Sequence, residues 1–454
     1  MRKAYALLVL TVAILPALAH GAKEDLYAIT GARIVTVSGP TLENGTIVLR
    51  DGVIEAVGRE VRPPVGARVL SGKGLTLTPG LIDGFGGVGL PAPAPSPAPN
   101  PLAPQSMALD RLRPSEVAKA RDAGITTALV IGKDGVLPGQ SVLVNLGGDQ
   151  AEAMVVKQPA GLHLHMATLR GGRYPTSLMG TLAYARQALY DAARYRDARA
   201  AYEKAPLGHK RPAYDPALEA WQGVLAGKEP LMVTAQREND IRRALALADE
   251  FKIKVAVAGA PQAFRVAPLV KSRGLPLFVT VNFDPARPPS YRAEDMEKEK
   301  KEIEEAERNP AELHKAGVRF ALVSGYAPDF LAGVRKAIEK GLPREAALRA
   351  VTLDAATVLG VADRMGSLEA GKIANVVAWS GDPLTKDAKA KMVFVDGRLY
   401  EPEERPEPSP SPSSALSPAP SPSPLPSPVP STSPPPASSP LPHPSPTPSP
   451  GAWP

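Results

Sequence analysis

The stretch Leu77-Thr78-Pro79-Gly80-Leu81-Ile82-Asp83-Gly84-Phe85-Gly86-Gly87 decides how the rest of this chain is interpreted. Its first seven residues lead from an apolar run through a Pro-Gly pair to a carboxylate at Asp83. The next four residues are three glycines and one phenylalanine, and neither a hydrogen atom nor a phenyl ring can coordinate a cation. The segment therefore provides a scaffold without a metal ligand after Asp83.

Short β-strands are predicted on both sides of this stretch. Residues 28–37 are rich in β-branched side chains, and residues 46–57 turn at Asp51-Gly52, a favoured two-residue hairpin sequence. Near the other end, residues 393–400 turn at Asp396-Gly397 in the same way. We therefore predict one small β-sandwich domain built from both chain ends, residues 23–76 and 363–400, with the middle of the chain inserted between them.

The middle of the chain, residues 77–362, alternates short apolar runs with amphipathic segments. The apolar runs cover residues 126–131, 141–145, 231–234, 254–258, 277–281 and 320–323. Alternating strands and helices are typical of parallel strands joined by crossover helices. About eight such units in about 290 residues is the size of a (β/α)8 barrel. The predicted fold class is α/β, with a TIM-like barrel beside the β-sandwich.

Composition and charge exclude several classes of site. The chain has no cysteine, which excludes disulfides, thiolate metal sites and cysteine nucleophiles. The net charge is +7, but no stripe of Lys and Arg interleaved with aromatic residues is present, so no nucleic-acid partner is predicted.

Both chain ends differ from the middle in composition. Arg2 and Lys3 precede an apolar run that ends at Ala17-Leu18-Ala19, so residues 1–22 are predicted to be a signal peptide that directs the protein to the periplasm or outside the cell. A retained membrane anchor is the alternative, although the run is short for a membrane span. No membrane span is predicted after signal cleavage.

Two segments are rich in proline. Residues 401–454 contain 22 of the 52 prolines and are predicted to be a disordered Pro/Ser-rich tail, either a spacer or a solvated end without a partner. Residues 91–104 contain seven prolines and form a predicted loop insert near the barrel mouth. Because loops at this end of a barrel build its specificity, the insert either covers a pocket or fills space.

Several motifs, taken in order, resemble the amidohydrolase superfamily in its imidazolonepropionase-like branch. They are residues 77–83, Ala123-Gly124-Ile125-Thr126-Thr127, residues 366–377, Gly381-Asp382-Pro383-Leu384 and Val395-Asp396-Gly397. The resemblance covers roughly residues 25–400. It implies a barrel flanked by a β-sandwich, and zinc or another divalent metal that activates water for attack on C–N bonds other than peptide bonds.

The resemblance also implies positions for the metal ligands, and this sequence departs from the family at each one. The paired histidines fall at Phe85 and Gly87, the fifth-strand histidine at Thr234 or Gln236, the sixth-strand histidine at Gly259 and the metal-binding aspartate at Gly325. We therefore predict no resident metal cofactor.

The loss of these ligands favours a catalytically inactive binding or scaffolding homologue. The alternative is an active C–N hydrolase, metal-dependent or metal-free, that acts on a cyclic amide or dipeptide at a displaced site. The predicted partner is an active amidohydrolase paralogue or a second copy of this chain.

A few other polar residues are candidates for a site. Those predicted to line a pocket are Asp83, Gln236, Asn282, Asp284 and Asp329. His163 and His165 lie two residues apart, on one face of a predicted strand, and could chelate a cation. The alternative is a pair of ordinary hydrogen-bonded histidines, because the sequence shows no third ligand nearby.

Overall fold

The structure is a computed structural model that describes residues 25–91, 102–132, 135–169, 174–283 and 292–402. Its strands form two sheets of eight. In chain order the strands are β1 Leu26–Ile34, β2 Leu42–Arg50, β3 Val53–Gly58, β4 Arg68–Ser71, β5 Thr76–Pro79, β6 Leu81–Gly86, β7 Ile125–Val130, β8 Gly139–Asn145, β9 Val155–His165, β10 Leu231–Ala235, β11 Val255–Gly259, β12 Leu277–Thr280, β13 Ala321–Val323, β14 Val376–Trp379, β15 Ala390–Val395 and β16 Arg398–Tyr400.

The helices lie mainly in the second half of the barrel. They are α1 Ala118–Asp122, α2 Leu178–Lys204, α3 Pro216–Glu219, α4 Gln222–Leu225, α5 Glu238–Phe251, α6 Ala267–Ser272, α7 Ala293–Lys315, α8 Phe330–Glu339, α9 Arg344–Ala350 and α10 Leu353–Leu359. Short 3-10 helices cover Ala108–Arg111, Pro114–Glu116, Glu152–Met154, Pro206–Gly208 and Ala263–Val266.

The first sheet joins both ends of the chain. Its order is β16-β15-β14-β5-β1-β2-β3, with β4 paired to β1. Strand β5 pairs antiparallel with β14, which places Thr78 opposite Val377. Side chains such as Ile29, Ile47 and Phe394 are fully buried in its core. The prediction of a β domain built from both chain ends is confirmed.

The second sheet is a nearly closed barrel with the strands in chain order, β6 to β13. Its two edge strands, β6 and β13, lie next to each other. The Gly325 N–H, two residues after β13, donates to the Phe85 carbonyl of β6 at 3.1 Å. Apolar side chains from every strand fill the interior, in the largest hydrophobic core of the described residues. The predicted TIM-like barrel is confirmed.

The barrel differs from the prediction of parallel strands at β8. This strand pairs antiparallel with both β7 and β9, whereas the remaining neighbours in the barrel pair parallel. The connections on either side of it, residues 131–138 and 146–154, are each shorter than the dozen or more residues that a parallel crossover needs. A short connection therefore forces this apolar run to return in the opposite direction.

The chain passes from the sandwich to the barrel at Gly80. The Gly80 N–H donates to the Asn375 carbonyl of the sandwich side at 2.9 Å, and the Leu81 N–H donates to the Gly124 carbonyl of the barrel side at 3.0 Å. A Cβ atom on Gly80 would overlap the side chain of Thr126. This close approach needs glycine at the point where the chain leaves the first sheet and enters the barrel.

Several predicted segments lie outside the described residues. They are the signal peptide 1–22, most of the insert 91–104, nearly all of the tail 401–454 and the candidate pocket residue Asp284. Within the described ranges, none of the helices is both long and apolar enough to cross a membrane.

A buried polar cluster links the barrel to the sandwich. The Asn145 side-chain carbonyl, at the end of β8, accepts from the Thr127 hydroxyl at 2.8 Å and from the Asn375 amide at 3.0 Å. Its own amide donates to the Asp396 carboxylate at 2.6 Å. Because these groups are shielded from water, each lost bond leaves a partner unsatisfied.

Replacing this asparagine tests the linkage. We expect Asn145→Leu to lower the free energy of unfolding by about 2 kcal/mol, since unpaired polar groups would remain buried around the new side chain. Urea denaturation followed by circular dichroism measures the change. Asn239→Leu, at an exposed position in the first turn of α5, serves as the control and should change stability little. Equal losses in the two variants would contradict a special role for the cluster.

Candidate functional site

The carboxyl ends of the barrel strands bring the family ligand positions together. Phe85 lies in β6 and Gly87 directly follows it, Thr234 lies in β10, Gly259 is the last residue of β11, and Gly325 comes two residues after β13. Parallel barrel strands end at the same rim, which is where TIM-barrel enzymes place their active sites. The rim is therefore the candidate site, although its residues are not those of a metal centre.

Three rings, here called the aromatic cluster, pack against one another at this rim. Phe85 is 4% exposed and stacks on His163, with ring centroids 6.0 Å apart and an interplanar angle of 19°. Tyr326 meets Phe85 edge-on at 5.5 Å and 76°. The Tyr326 hydroxyl donates to the Ile131 carbonyl at 3.0 Å, which ties the ring to the opposite loop. A Cβ atom on Gly87 would come within 3.2 Å of the Tyr326 ring, so little room is left for a larger residue there.

Two of the family ligand positions have a backbone that favours glycine. Gly259 has a φ of +87° and Gly325 a φ of +56°. A Cβ atom on Gly259 would lie 2.9 Å from the Ala235 carbonyl oxygen, and one on Gly325 would overlap the Thr280 hydroxyl. Because L-residues rarely adopt these angles and also lack space here, neither position can carry a histidine or aspartate without a change of backbone.

The two alternatives for the fifth-strand ligand have different surroundings. The Thr234 hydroxyl is buried and has no hydrogen-bond partner in the described part of the chain. Gln236 follows the strand and is exposed, and its backbone N–H donates to the Asp240 carboxylate at 3.2 Å. Neither a hydroxyl nor an amide replaces an imidazole as a zinc ligand.

His163 and His165 do not complete a metal site. His163 is fully buried, neither of its ring nitrogens has a hydrogen-bond partner among the described residues, and burial lowers its pKa well below the usual value. His165 Nδ1 lies 3.1 Å from the Gly135 carbonyl. Across the described ranges, no group of three or more His, Asp or Glu side chains could hold a metal ion. The residues that the structure describes therefore do not fit the divalent metal that the fold implies.

Asp83 closes the seam between β6 and β13. Its carboxylate accepts from the Ser324 hydroxyl at 2.6 Å, from the Ser324 N–H at 2.9 Å and from the Phe85 N–H at 3.4 Å. Burial raises the Asp83 pKa to about 6, although these hydrogen bonds pull it downward. Because both carboxylate oxygens accept hydrogen bonds from within the protein, Asp83 links β6 to the segment that follows β13.

The other candidate pocket residues separate into two places. The Asn282 amide donates to the Gly325 carbonyl at 3.3 Å, so Asn282 and Asp83 contact the same short segment after β13. Asp329 instead caps α8 by accepting from the Ala332 N–H at 2.9 Å, and its side chain is 63% exposed. It does not join Asp83 and Asn282.

The sequence interpretation missed Ser324 and Tyr326. Ser324 directly precedes the position of the lost aspartate, and this neighbourhood was a signal that could have drawn attention to it. Tyr326 has a φ of +69° and reaches across to Ile131, and nothing in its sequence surroundings indicates either property.

A cleft of about 530 Å³, here called the rim cleft, lies between the ends of β9 and β10 and the first turns of α2 and α5. Of the predicted site residues that the structure describes, only Gln236 lines it. The residues that line it are Met166, Ala167, Thr168, Leu178, Gln236, Arg237, Asn239, Asp240 and Arg243. It combines apolar side chains with two guanidinium groups.

Comparisons with known proteins agree with the motifs and the fold. Residues 270–400 match the model of the amidohydrolase family. Over 62 residues, 14% of this chain, the sequence is 42% identical to amidohydrolase tasK of Hapsidospora irregularis, and over 74 residues, 15% of this chain, it is 42% identical to imidazolonepropionase of Pseudomonas putida strain GB-1. An amidohydrolase from Thermotoga maritima MSB8 has a similar fold, with a TM-score of 0.72 and 24% identity, over 83% of this chain and 100% of that one.

The predicted resemblance to the amidohydrolase superfamily and its imidazolonepropionase-like branch is thereby confirmed. The matched stretches span 6% and 18% of the two curated relatives. The similarity in structure is a similarity of fold, and fold does not fix activity.

Proposed function

We propose that this amidohydrolase-family chain does not hydrolyse C–N bonds and acts as a binding or scaffolding homologue. The observation that carries the proposal is the backbone at Gly259 and Gly325, where positive φ angles and close neighbours leave no room for the family's histidine and aspartate. Restoring the histidine or the aspartate by a single substitution would therefore strain the backbone and overlap its neighbours.

The aromatic cluster supports the same proposal. Phe85, at one of the family's ligand positions, stacks on His163 and meets Tyr326 edge-on, so ring contacts take the place of a donor group there. His163 is fully buried and burial lowers its pKa well below the usual value, so its imidazole is neutral at pH 7, and the described residues contain no group of three donors around it. We propose a binding role because the barrel keeps a packed core and a rim while the residues at the family's ligand positions are not metal donors.

Metal analysis tests the proposal. We expect the full chain, produced in medium that contains zinc, manganese and iron and purified without chelators, to contain far less than one metal ion per chain by elemental mass spectrometry. The double variant His163→Gln/His165→Gln is the matched comparison, and its metal content should equal that of the unaltered chain.

Two results would overturn the proposal. One is a stoichiometric metal that is lost in the double histidine variant, which would place a metal at His163 and His165. The other is turnover of cyclic amides or dipeptides by the purified chain, with or without chelator, which would establish an active hydrolase with a displaced site.

We also propose that a binding homologue of this kind works with an active amidohydrolase paralogue or with a second copy of itself, and that residues 1–22 direct it to the periplasm or outside the cell. Copurification from the native host, followed by light scattering to give the mass of the complex, tests the partner. Recovery of the chain from the cytoplasm with residues 1–22 intact would contradict the location.

A further inference from the structure

The rim cleft has the size and position of a small-molecule site. Its volume of about 530 Å³ lies within the range of about 300–1,000 Å³ that is usual for such sites. Phe85 of the aromatic cluster occupies one of the family's ligand positions, whereas the rim cleft is lined by residues that follow β9 and β10 and by the first turns of α2 and α5. A ligand could therefore bind at the rim without entering the barrel.

Two arginines line the rim cleft, and they differ in whether a carboxylate pairs with them. Arg243 is held by Asp240, with a guanidinium-to-carboxylate distance of 2.8 Å. The same carboxylate accepts the backbone N–H groups of Gln236 and Arg237, at 3.2 and 3.1 Å, so its charge is already engaged. Arg237 is exposed and forms no ion pair with the described residues. Of the two arginines that line the cleft, Arg237 is thus the one without an ion pair to the described residues.

Two long helices begin at the cleft, and their amino ends differ in charge, because the first turn of α5 carries Glu238 and Asp240 whereas that of α2 carries no acidic residue. Helix α2 starts at Leu178 and spans 27 residues, and helix α5 starts at Glu238 and spans 14 residues. Helix amino ends carry partial positive charge and attract anions. The helices alone would not make a site, but here they begin at a cavity lined by Arg237, which forms no ion pair with the described residues.

The remaining lining residues favour an apolar body on the ligand. Met166 is 7% exposed and forms part of the lining, and Leu178 is half-buried beside it. Ala167 is small and leaves the space open.

A planar guanidinium binds a carboxylate through two parallel N–H bonds, which a point charge cannot do.

From these observations we propose that the rim cleft binds a small organic carboxylate with an apolar body, with Arg237 as the residue that holds the carboxylate. The inference deepens the proposed function and rests on it, because it names where a binding homologue would bind and which chemistry it would recognise.

Titration of the full chain with 3-phenylpropionate, followed by isothermal calorimetry, tests the inference. We expect Arg237→Gln to raise the dissociation constant about tenfold, the effect of losing one charge-assisted contact. Arg242→Gln is the matched control, because Arg242 is exposed on the same helix and does not line the cleft, and it should leave the affinity unchanged. The uncharged 3-phenylpropanamide should bind unaltered protein as weakly as the carboxylate binds Arg237→Gln.

A second variant distinguishes the contribution of the open space in the cleft from that of the Arg237 charge. Ala167→Phe should fill the cleft and weaken both the acid and the amide, whereas Arg237→Gln should weaken the acid alone. Thermal unfolding confirms that each variant is folded, as expected for substitutions at exposed positions. Equal affinities for Arg237→Gln and unaltered protein, equal losses in Arg237→Gln and Arg242→Gln, or no binding of the acid at its highest soluble concentration would each overturn the inference.

The same samples distinguish failure of this inference from failure of the proposed function. A metal-free chain that does not bind the acid overturns the rim-cleft inference alone. The proposed function alone is overturned if the chain contains stoichiometric metal while its binding of the acid still depends on Arg237 and is unchanged by chelators.

Discussion

Gly325→Asp, which restores the family's metal-binding carboxylate, is expected to destabilise the protein by about 4 kcal/mol without creating a metal ligand. The φ of +56° strains any L-residue by about 1–3 kcal/mol, and the new Cβ would overlap the Thr280 hydroxyl, which adds the cost of overpacking. Urea denaturation followed by the fluorescence of the buried Trp221 and Trp379 measures the loss, and elemental mass spectrometry measures the metal content.

Two alanine variants identify the cause of this loss. Gly325→Ala should account for most of it, because the strain and the overlap both arise at Cβ. Gly381→Ala adds the same methyl group where nothing lies within 4 Å and φ is not positive, so its stability should change by less than about 1 kcal/mol. If Gly325→Asp were as stable as the unaltered chain and bound zinc, the argument that the backbone has left the metal site would fail.

Periodic features of the sequence predicted most of the fold. The apolar runs at residues 231–234 and 254–258 became β10 and β11, and the turn at Asp396-Gly397 joins β15 to β16. Strand β8 could be predicted as a strand but not as antiparallel, since direction depends on the lengths of its connections and on which neighbour it pairs with. Local sequence patterns thus predict secondary structure better than they predict strand direction.

The candidate site was less accessible from the sequence. The residue types at 259 and 325 showed that ligands were missing, but glycine adopts either sign of φ, so only the structure shows that these positions exclude a side chain. Tyr326 is explained by a hydrogen bond to Ile131, far away in the chain. The rim cleft likewise combines the segment after β9 with the start of α5, and no local motif marks that meeting point.

Asp83→Asn is expected to make the protein more resistant to rising pH. Burial raises the Asp83 pKa from 3.8 to about 6, so between these values the native state holds a proton that the unfolded chain has lost. The stability that this carboxyl contributes is therefore fully present below about pH 4 and is lost as the pH rises through about 6. The total loss is about 3 kcal/mol, from about two pKa units at about 1.4 kcal/mol each. Asparagine, which does not titrate, avoids the loss.

The measurement is the difference in the free energy of unfolding between Asp83→Asn and the unaltered chain, from urea denaturation between pH 4 and pH 7.5. Because Glu229, whose pKa burial raises to about 7, titrates in both proteins, its contribution cancels in the difference. We expect the difference to move in favour of asparagine by about 3 kcal/mol across this range. Ser324→Ala removes the hydroxyl, whose hydrogen bond lowers the Asp83 pKa, and keeps the backbone N–H donor, so it should extend the pH-dependent loss to higher pH. A difference that stayed constant, or that favoured aspartate as the pH rose, would mean that the hydrogen bonds from Ser324 and Phe85 outweigh burial and that the seam between β6 and β13 is held by an ionised carboxylate.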